Sequence, residues 1–353
     1  MAGGDIDKMK LKEFGTYPVL ANALTNDGIV GYYDEDYRVE APAVTVTGRG
    51  DVGHAKARKT NFTPVVRLLA VKSKHDVDFL ENAINEHKVL VESTGVPQLT
   101  SPQLGSYKIF FPRYEEEKRI GSFFKQLDNT IALHQRKLDL LKQLKQAYLQ
   151  KMFPRNGEKV PEVRFAGFDE VWEQRELGNL TEVYDGTHQT PTYTTDGVMF
   201  LSVENIKTLQ SKKYISEEAF EKDFKIRPEF GDILMTRIGD IGTPNVVTSN
   251  NDVAFYVSLA LLKTKELNPY FLESNIKSPE VQNELWKRTL HIAFPKKINK
   301  NEICKVPIRY PSYDEQQLIG SLLEQLDYAI TLHRNKLDQL NSLKSAFLEK
   351  MFI

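Results

Sequence analysis

The chain has 353 residues, 41% of them hydrophobic and 27% charged, enough for about two domains of ~150 residues with sizeable cores. Its 47 Lys and Arg offset 48 Asp and Glu, which argues against a protein that binds polyanions with its whole surface. One cysteine, Cys304, rules out an internal disulfide, no His and carboxylate set has metal-ligand spacing, and no run reaches 18 apolar residues. Met1-Ala2-Gly3-Gly4-Asp5 does not open a basic and then apolar leader, so no membrane anchor is expected and a reducing cytoplasm is the expected compartment.

In chain order, the first module (1–112) opens its legible part with strand-like Ala43 to Thr47, leading into Gly48-Arg49-Gly50-Asp51-Val52-Gly53. An apolar strand from Val65 to Val71, a helix, a polar turn after Pro97 and a last strand ending at Pro112 are expected to follow. Residues 113–153 read as one long helix. Ile120, Phe124, Leu127, Ile131, Leu138, Leu141, Tyr148 and Met152 fall on alternating steps of four and three, the stripe of a coiled-coil seam. Acidic Glu115 to Glu117 open it, Lys151 closes it and Pro154 stops it, as the helix dipole and proline sterics favour. About 38 helical residues would span roughly 57 Å, more than a small core needs.

The second module (154–311) repeats the outline. Asp232 to Thr236 leads into Arg237-Ile238-Gly239-Asp240-Ile241-Gly242, and an apolar strand from Tyr256 to Leu262, a helix, a basic turn after Pro295 and a strand ending at Pro311 are expected. The second long helix (312–353) matches the first without a gap at a constant offset of 199, so that Gly121-Ser122 recurs as Gly320-Ser321 and Lys137-Leu138-Asp139 as Lys336-Leu337-Asp338. Its seam is Ile319, Leu323, Leu326, Ile330, Leu337, Leu340, Phe347 and Met351, and Ser312 with Glu315 fits a capping box. Polar His134 and Lys145 interrupt the first seam where His333 and Lys344 interrupt the second; they either lie at the edge of the stripe or fix register and partner choice.

Charge is distributed unevenly. Arg49 to Arg67 carries five Lys and Arg against one acid, and Lys287 to Lys305 six against one. One such cluster is most simply a solvated face, but two in corresponding modules point to a ligand. Gly48-x-Gly50-x-x-Gly53 matches a dinucleotide fingerprint by letter, yet the residues after it lack helical periodicity and Arg237 replaces the first glycine in the repeat, so a tight turn presenting Arg49 is the simpler reading. Asn268-Pro269-Tyr270-Phe271 lacks the second proline of the amino-methyltransferase motif, no phosphate loop occurs, and no catalytic constellation stands out. No catalytic residue, metal or cofactor is assigned.

With these features the sequence resembles the specificity subunits of Type I restriction-modification systems. The resemblance rests on the alternation of module and repeated helix, on Val160-Pro161-Glu162-Val163-Arg164-Phe165 running into Trp172-Glu173-Gln174-Arg175-Glu176-Leu177-Gly178, and on Tyr184-Asp185-Gly186-Thr187-His188-Gln189-Thr190-Pro191. It implies an α/β (α+β) fold of two target-recognition domains, each followed by a long helix, with the two helices pairing as an antiparallel coiled coil. It further implies that each domain reads one half of a split double-stranded DNA target, and that the helices set the spacing and dock two methylation subunits, with restriction subunits joining through the complex. Methyl transfer and ATP-driven cleavage would belong to those partners, the chain itself being non-catalytic.

Base edges are read by paired donors and acceptors, Arg or Lys on guanine and Asn or Gln on adenine. Loop candidates are Arg49, His54, Lys56, Arg58 and Lys59 in the first module, and Thr187, His188, Gln189, Arg237, Asn245, Lys296, Lys297, Asn299 and Lys300 in the second. Gly50 aligns with Gly239, so Met1 corresponds to about residue 190, and the first module is expected to lack a counterpart of Val160 to Gln189. The rival reading is a coiled-coil scaffold for protein interaction without DNA binding, favoured by the near-neutral charge.

Overall fold

The computed structural model describes residues 1–87, 96–264 and 266–352. The chain forms two compact units, Met1–Arg136 with His333–Ile353 and Lys137–Leu332.

In the first unit an antiparallel sheet has Ala43–Thr47 in the centre, with Ala55–Arg58 and Leu68–Val71 beside it. All five residues of the central strand are buried because both faces are covered. Val44, Val46 and Leu69 pack under the helix Val77–Glu86 through Val77, Leu80 and Ile84, while Ala43, Leu68 and Ala70 meet Leu20, Val39 and Phe62. A second small sheet runs Ile29–Tyr33, Tyr17–Leu20, Thr63–Pro64, the last pair parallel. The outer edge of Leu68–Val71 is taken by the first residues, through the Ala2 to Leu69 bridge and a 2.9 Å bond from the Met1 amino group to the Ala70 carbonyl.

The second unit repeats this plan with more strands. Its main sheet runs Asp240–Val246, Ile233–Ile238, Leu259–Thr264, Thr181–Asp185, and its small sheet Tyr214–Ile215, Val198–Leu201, Val253–Phe255. The helices Pro269–Lys277 and Pro279–Lys287 and the short helices Leu177–Leu180 and Lys300–Cys304 cover one face of the main sheet.

Two expected strands are not continuous. The run from Val65 to Val71 contains a turn in which the Leu68 amide donates to the Val65 carbonyl and Arg67 takes a left-handed φ of 77°, so the chain leaves one sheet and enters the other. Tyr256 to Leu262 is broken in the same way, Leu259 donating to Tyr256, with the strand proper at Leu259–Thr264. The strand expected to end at Pro112 is absent among the described residues, whereas its counterpart Pro307–Tyr310 forms by pairing with Glu173–Glu176.

The long helices run Tyr114–Lys151 and Tyr313–Met351, and within each unit they pair antiparallel. In the first unit Phe123 meets Phe347 edge to face at 5.1 Å, Phe352 lies 5.0 Å from Phe79, and Lys344 pairs with Asp128 at 2.6 Å. In the second unit Lys145 pairs with Asp327, the repeat of that ion pair, and Leu141 and Tyr148 pack with Ile319, Leu323 and Leu326. Phe124, Leu127, Leu138, Ile319, Leu323, Leu326, Ile330, Leu337 and Leu340 are buried. Ile120, Ile131 and Leu141 are half-buried. Met351 departs from the expected seam: it is 40% exposed, and Phe352 takes the inward position beside Phe124. The four polar interruptions bond across the pair, which is the behaviour expected of residues that set register.

The repeated glycine of each helix seats the module that precedes it. A Cβ on Gly121 would stand 2.7 Å from the Phe79 amide, and one on Gly320 2.8 Å from the Phe271 amide, at the N-terminus of a module helix in either case. Asp76 and Asn268 cap those helices by accepting from the same amides, so Asn268-Pro269-Tyr270-Phe271 is a helix start. Glu117 accepts from the Asp76 amide, and Gln316, at the same repeat position, accepts from the Asn268 amide. Glu315 is not in a capping box: fully buried, it takes both Nε and Nη2 of Arg164 at 2.7 and 2.8 Å, because a carboxylate without water needs a cation.

Candidate nucleic-acid interface

Each module presents one tight glycine turn against one loop, by the same backbone bonds. In the first unit the turn after Ala43–Thr47 joins it to Ala55–Arg58 as a hairpin, so the glycine string is not a strand-to-helix nucleotide loop. Gly50, at a φ of 75°, donates to the Pro97 carbonyl, and Leu99 donates to Gly48. In the second unit Gly239, at a φ of 81°, donates to the Lys296 carbonyl, and Ile298 donates to Arg237. Bridges between Arg49 and Gln98 and between Ile238 and Lys297 complete the match. In the first unit Asn22 also clamps the turn, its Oδ1 accepting from the Gly48 amide at 2.7 Å and its Nδ2 donating to the Arg49 carbonyl at 2.7 Å.

Of the candidates in the first module, Arg49 stands on this turn, half-buried, and His54 is exposed at its end. Three others are engaged elsewhere. Asp27 receives Lys56 at 2.6 Å and Arg58 at 2.7 Å, and Arg58 also donates from Nε to Thr45. Lys59 pairs with Asp78. The basic run is therefore largely neutralised by acids distant in sequence, and Arg58, whose side chain is 13% exposed, ties the hairpin to the Asp27 turn.

In the second module Arg237 is the main correction. It is 7% exposed, its guanidinium pairs with Asp185, and its Nε donates to the Ile298 carbonyl at 3.1 Å. An arginine so enclosed fastens three segments together: its own strand, the loop ending at Ile298, and the strand Thr181–Asp185, from which Thr187, His188 and Gln189 continue. Thr187 closes a small turn on the Gln189 amide at 3.3 Å, leaving His188 and Gln189 exposed. Asn245 lies apart from this platform and is spent on the Ile206 carbonyl at 2.8 Å. Lys296, Lys297 and Asn299 are exposed and Lys300 half-exposed, and none of the three lysines makes an ion pair among the described residues.

Sequence reasoning missed the tip of the second loop. Leu290 and Lys297 bridge to close a six-residue finger on which Ile292 and Phe294 are 99% and 103% exposed. Beneath them Trp286, half-exposed, carries the Lys296 Nζ 4.5 Å from its ring centre and the His291 ring at 4.2 Å. Apolar letters in a sequence read as core, so nothing marked these two as surface.

Among the described residues no group of three or more His, Cys, Asp or Glu could hold a metal ion, and no helix is long and apolar enough to cross a membrane. Burial pushes the Cys304 thiol above its usual range, so it stays protonated and is a poor nucleophile.

The family model for the Type I restriction modification DNA specificity domain matches residues 2–143 and 169–342, one stretch for each module with most of its long helix. The chain belongs to the Type I restriction-modification specificity family. It is similar to the MjaVIII specificity subunit of Methanocaldococcus jannaschii, 20% identical over 282 residues, which cover 74% of this chain and 65% of that one. A putative type I specificity subunit of Mycoplasma pneumoniae is 30% identical over 136 residues, covering 36% of this chain and 40% of the relative. The chain thus spans less than two thirds of the length of either. In fold it resembles the crystal structure of the S subunit from M. genitalium, with a TM-score of 0.69 at 14% identity, covering all of this chain and 93% of that one. A chain from a structure concerned with the assembly and conformational transition of a Type I system gives 0.50 at 16% identity, covering 95% and 90%.

Proposed function

We propose that this chain reads DNA for a Type I restriction-modification complex and performs no chemistry itself. Each module (1–112 and 154–311) acts as a target-recognition domain for one half of a bipartite duplex target, and the two long helices (113–153 and 312–353) hold the halves at a set distance. The observation that carries this reading is the duplicated platform of glycine turn and loop, built by identical backbone bonds but presenting different side chains: Arg49, His54 and Gln98 in one unit, His188, Gln189, Lys297, Asn299 and Lys300 in the other. One frame with two sets of donors and acceptors is what two unequal half-sites require.

Arg237 stiffens the second platform from behind, while Arg58 ties the far end of the first hairpin to the Asp27 turn. Exposed leucines outside the seam, Leu133 and Leu144 with their repeats Leu332 and Leu343, offer apolar ground for two methylation subunits, through which restriction subunits would join in the cytoplasm.

Binding of the chain with its methylation subunit to its target duplex should weaken steeply with salt, log K falling by ~0.9 per neutralised phosphate. Neutral replacements of Lys296, Lys297, Asn299 and Lys300 should relax one half-site alone. A flat salt response with intact assembly would favour a protein scaffold, and equal relaxation of both half-sites would mean that the modules do not read independently.

A further inference from the structure

The finger His291 to Lys296 exposes two large apolar side chains completely while its base is fixed. The Leu290 amide donates to Lys297 at 2.8 Å, Lys297 also bridges to Ile238, Ile298 is fully buried, and Thr289, 5% exposed, donates to the Leu285 carbonyl at 2.8 Å. A tip on so rigid a base does not fold back to hide Ile292 and Phe294, so their hydration is a standing cost that an occupant would relieve.

Charge and size identify the occupant. Around the tip, Lys296, Lys297 and Lys300 have no acidic partner among the described residues, whereas Glu284 is occupied by Lys287 and Arg288, and Glu302 by Lys305. Three lysines against the one exposed carboxylate on the adjoining turn, Asp240, leave the surroundings of this apolar point net positive, which suits a polyanion with an apolar interior. Two side chains are also far fewer than the roughly 20–30 residues on each side that a protein interface of about 800 Å² engages, whereas one or two apolar side chains are what a wedge between stacked bases uses.

We propose that Ile292 and Phe294 form a wedge that enters a base step of the half-site read by the second module, partly unstacking it while the three lysines hold the flanking phosphates. Phe and Ile are side chains that do this in kinked duplexes, where unstacking is offset by the closer wrap it allows. The wedge rests on the DNA-reading function above and adds a source of specificity that needs no base-edge contact, since flexible pyrimidine-purine steps open most easily.

The test uses the full chain in complex with its methylation subunit, bound to target duplexes carrying 2-aminopurine at successive positions of that half-site, the methylated adenine excepted. One position should brighten on binding. The double variant Ile292→Ser with Phe294→Ser should abolish that rise and weaken binding about tenfold with the salt slope unchanged, while Phe294→Leu keeps the rise. Such exposed positions leave the fold intact, which an unchanged melting temperature verifies. Binding without brightening at any position, or a double variant that brightens like the wild type, overturns the wedge and leaves the DNA-reading function standing. Loss of the methylation subunit from the double variant would make the tip a protein contact, and also overturns it. A wild-type complex that does not bind the duplex at all overturns both.

Discussion

His134 and His333, the same position in the two copies of the repeat, face each other with their Nδ1 atoms 2.8 Å apart. Such a contact is a hydrogen bond only when one of the two nitrogens carries a proton and the other does not. It holds two copies of one sequence in a single antiparallel register, with Lys344 on Asp128 and Lys145 on Asp327 as further pins.

Replacing both histidines by leucine should therefore raise thermal stability, since an apolar seam gains burial while losing only a device for register. Replacing His333 alone should lower it by about 1 kcal/mol, by removing one bond from a half-buried imidazole. Melting curves of the three proteins check both statements.

The seam itself is tested by charge. Leu127→Glu or Leu326→Glu, each at a residue 8% exposed, should cost several kcal/mol through ~1.5–3 kcal/mol of lost burial plus the desolvation of a carboxylate. Lys137→Glu and Lys336→Glu, on the exposed face, should change stability by less than about 0.5 kcal/mol.

Why the seam was legible and the platforms were not follows from geometry. A helix maps sequence spacing directly onto a face, so steps of four and three located Phe124, Leu138, Leu323 and Leu337 without knowledge of any partner. Side chains in the modules acquire their roles from residues far along the chain. Arg237 reads as a free cation until Asp185, 52 positions earlier, is found beside it, and Arg58 does so until Asp27 is. The glycine turns were visible as turns, but the loops they bond to lie about fifty residues away, and Ile292 and Phe294 carry no mark of exposure. A run such as Val65 to Val71 conceals its break because the left-handed residue is an arginine rather than a glycine.

Arg237→Ala should accordingly destabilise the second unit rather than merely weaken recognition. Removing the guanidinium leaves Asp185 and the Ile298 carbonyl without their donor, at a cost of about 3 kcal/mol, and lowers the melting temperature before DNA is added. Lys297→Ala should leave melting unchanged and reduce binding. Paired calorimetry and DNA titration separate the two effects.

Glu273 offers a pH test within the second unit. Burial pushes its carboxyl above the usual carboxylate range, against the pull of Lys277 at 2.6 Å and of Lys145, while Asp327 adds to the rise. For an acid whose folded pKa is raised, the folded state prefers the proton, so its contribution is most favourable below the ordinary carboxylate range and is lost as pH rises through the folded value. Glu273→Gln should therefore gain stability relative to wild type as pH goes from about 4 to 8. A difference that stays constant over that range would mean that the side chain ionises as in water.

The most direct measurement of the whole account is the position of methylated adenines in DNA from cells carrying this chain and the methylation subunit proposed for it, mapped before and after four residues are inserted into one long helix. Four residues add about one helical turn, ~5.4 Å, near the rise of one to two base pairs, and keep the seam facing its partner. The account predicts a bipartite target whose two half-sites keep their sequences while the gap between them lengthens. Half-sites that keep their original spacing after the insertion would contradict it, because the helices would then not be the ruler.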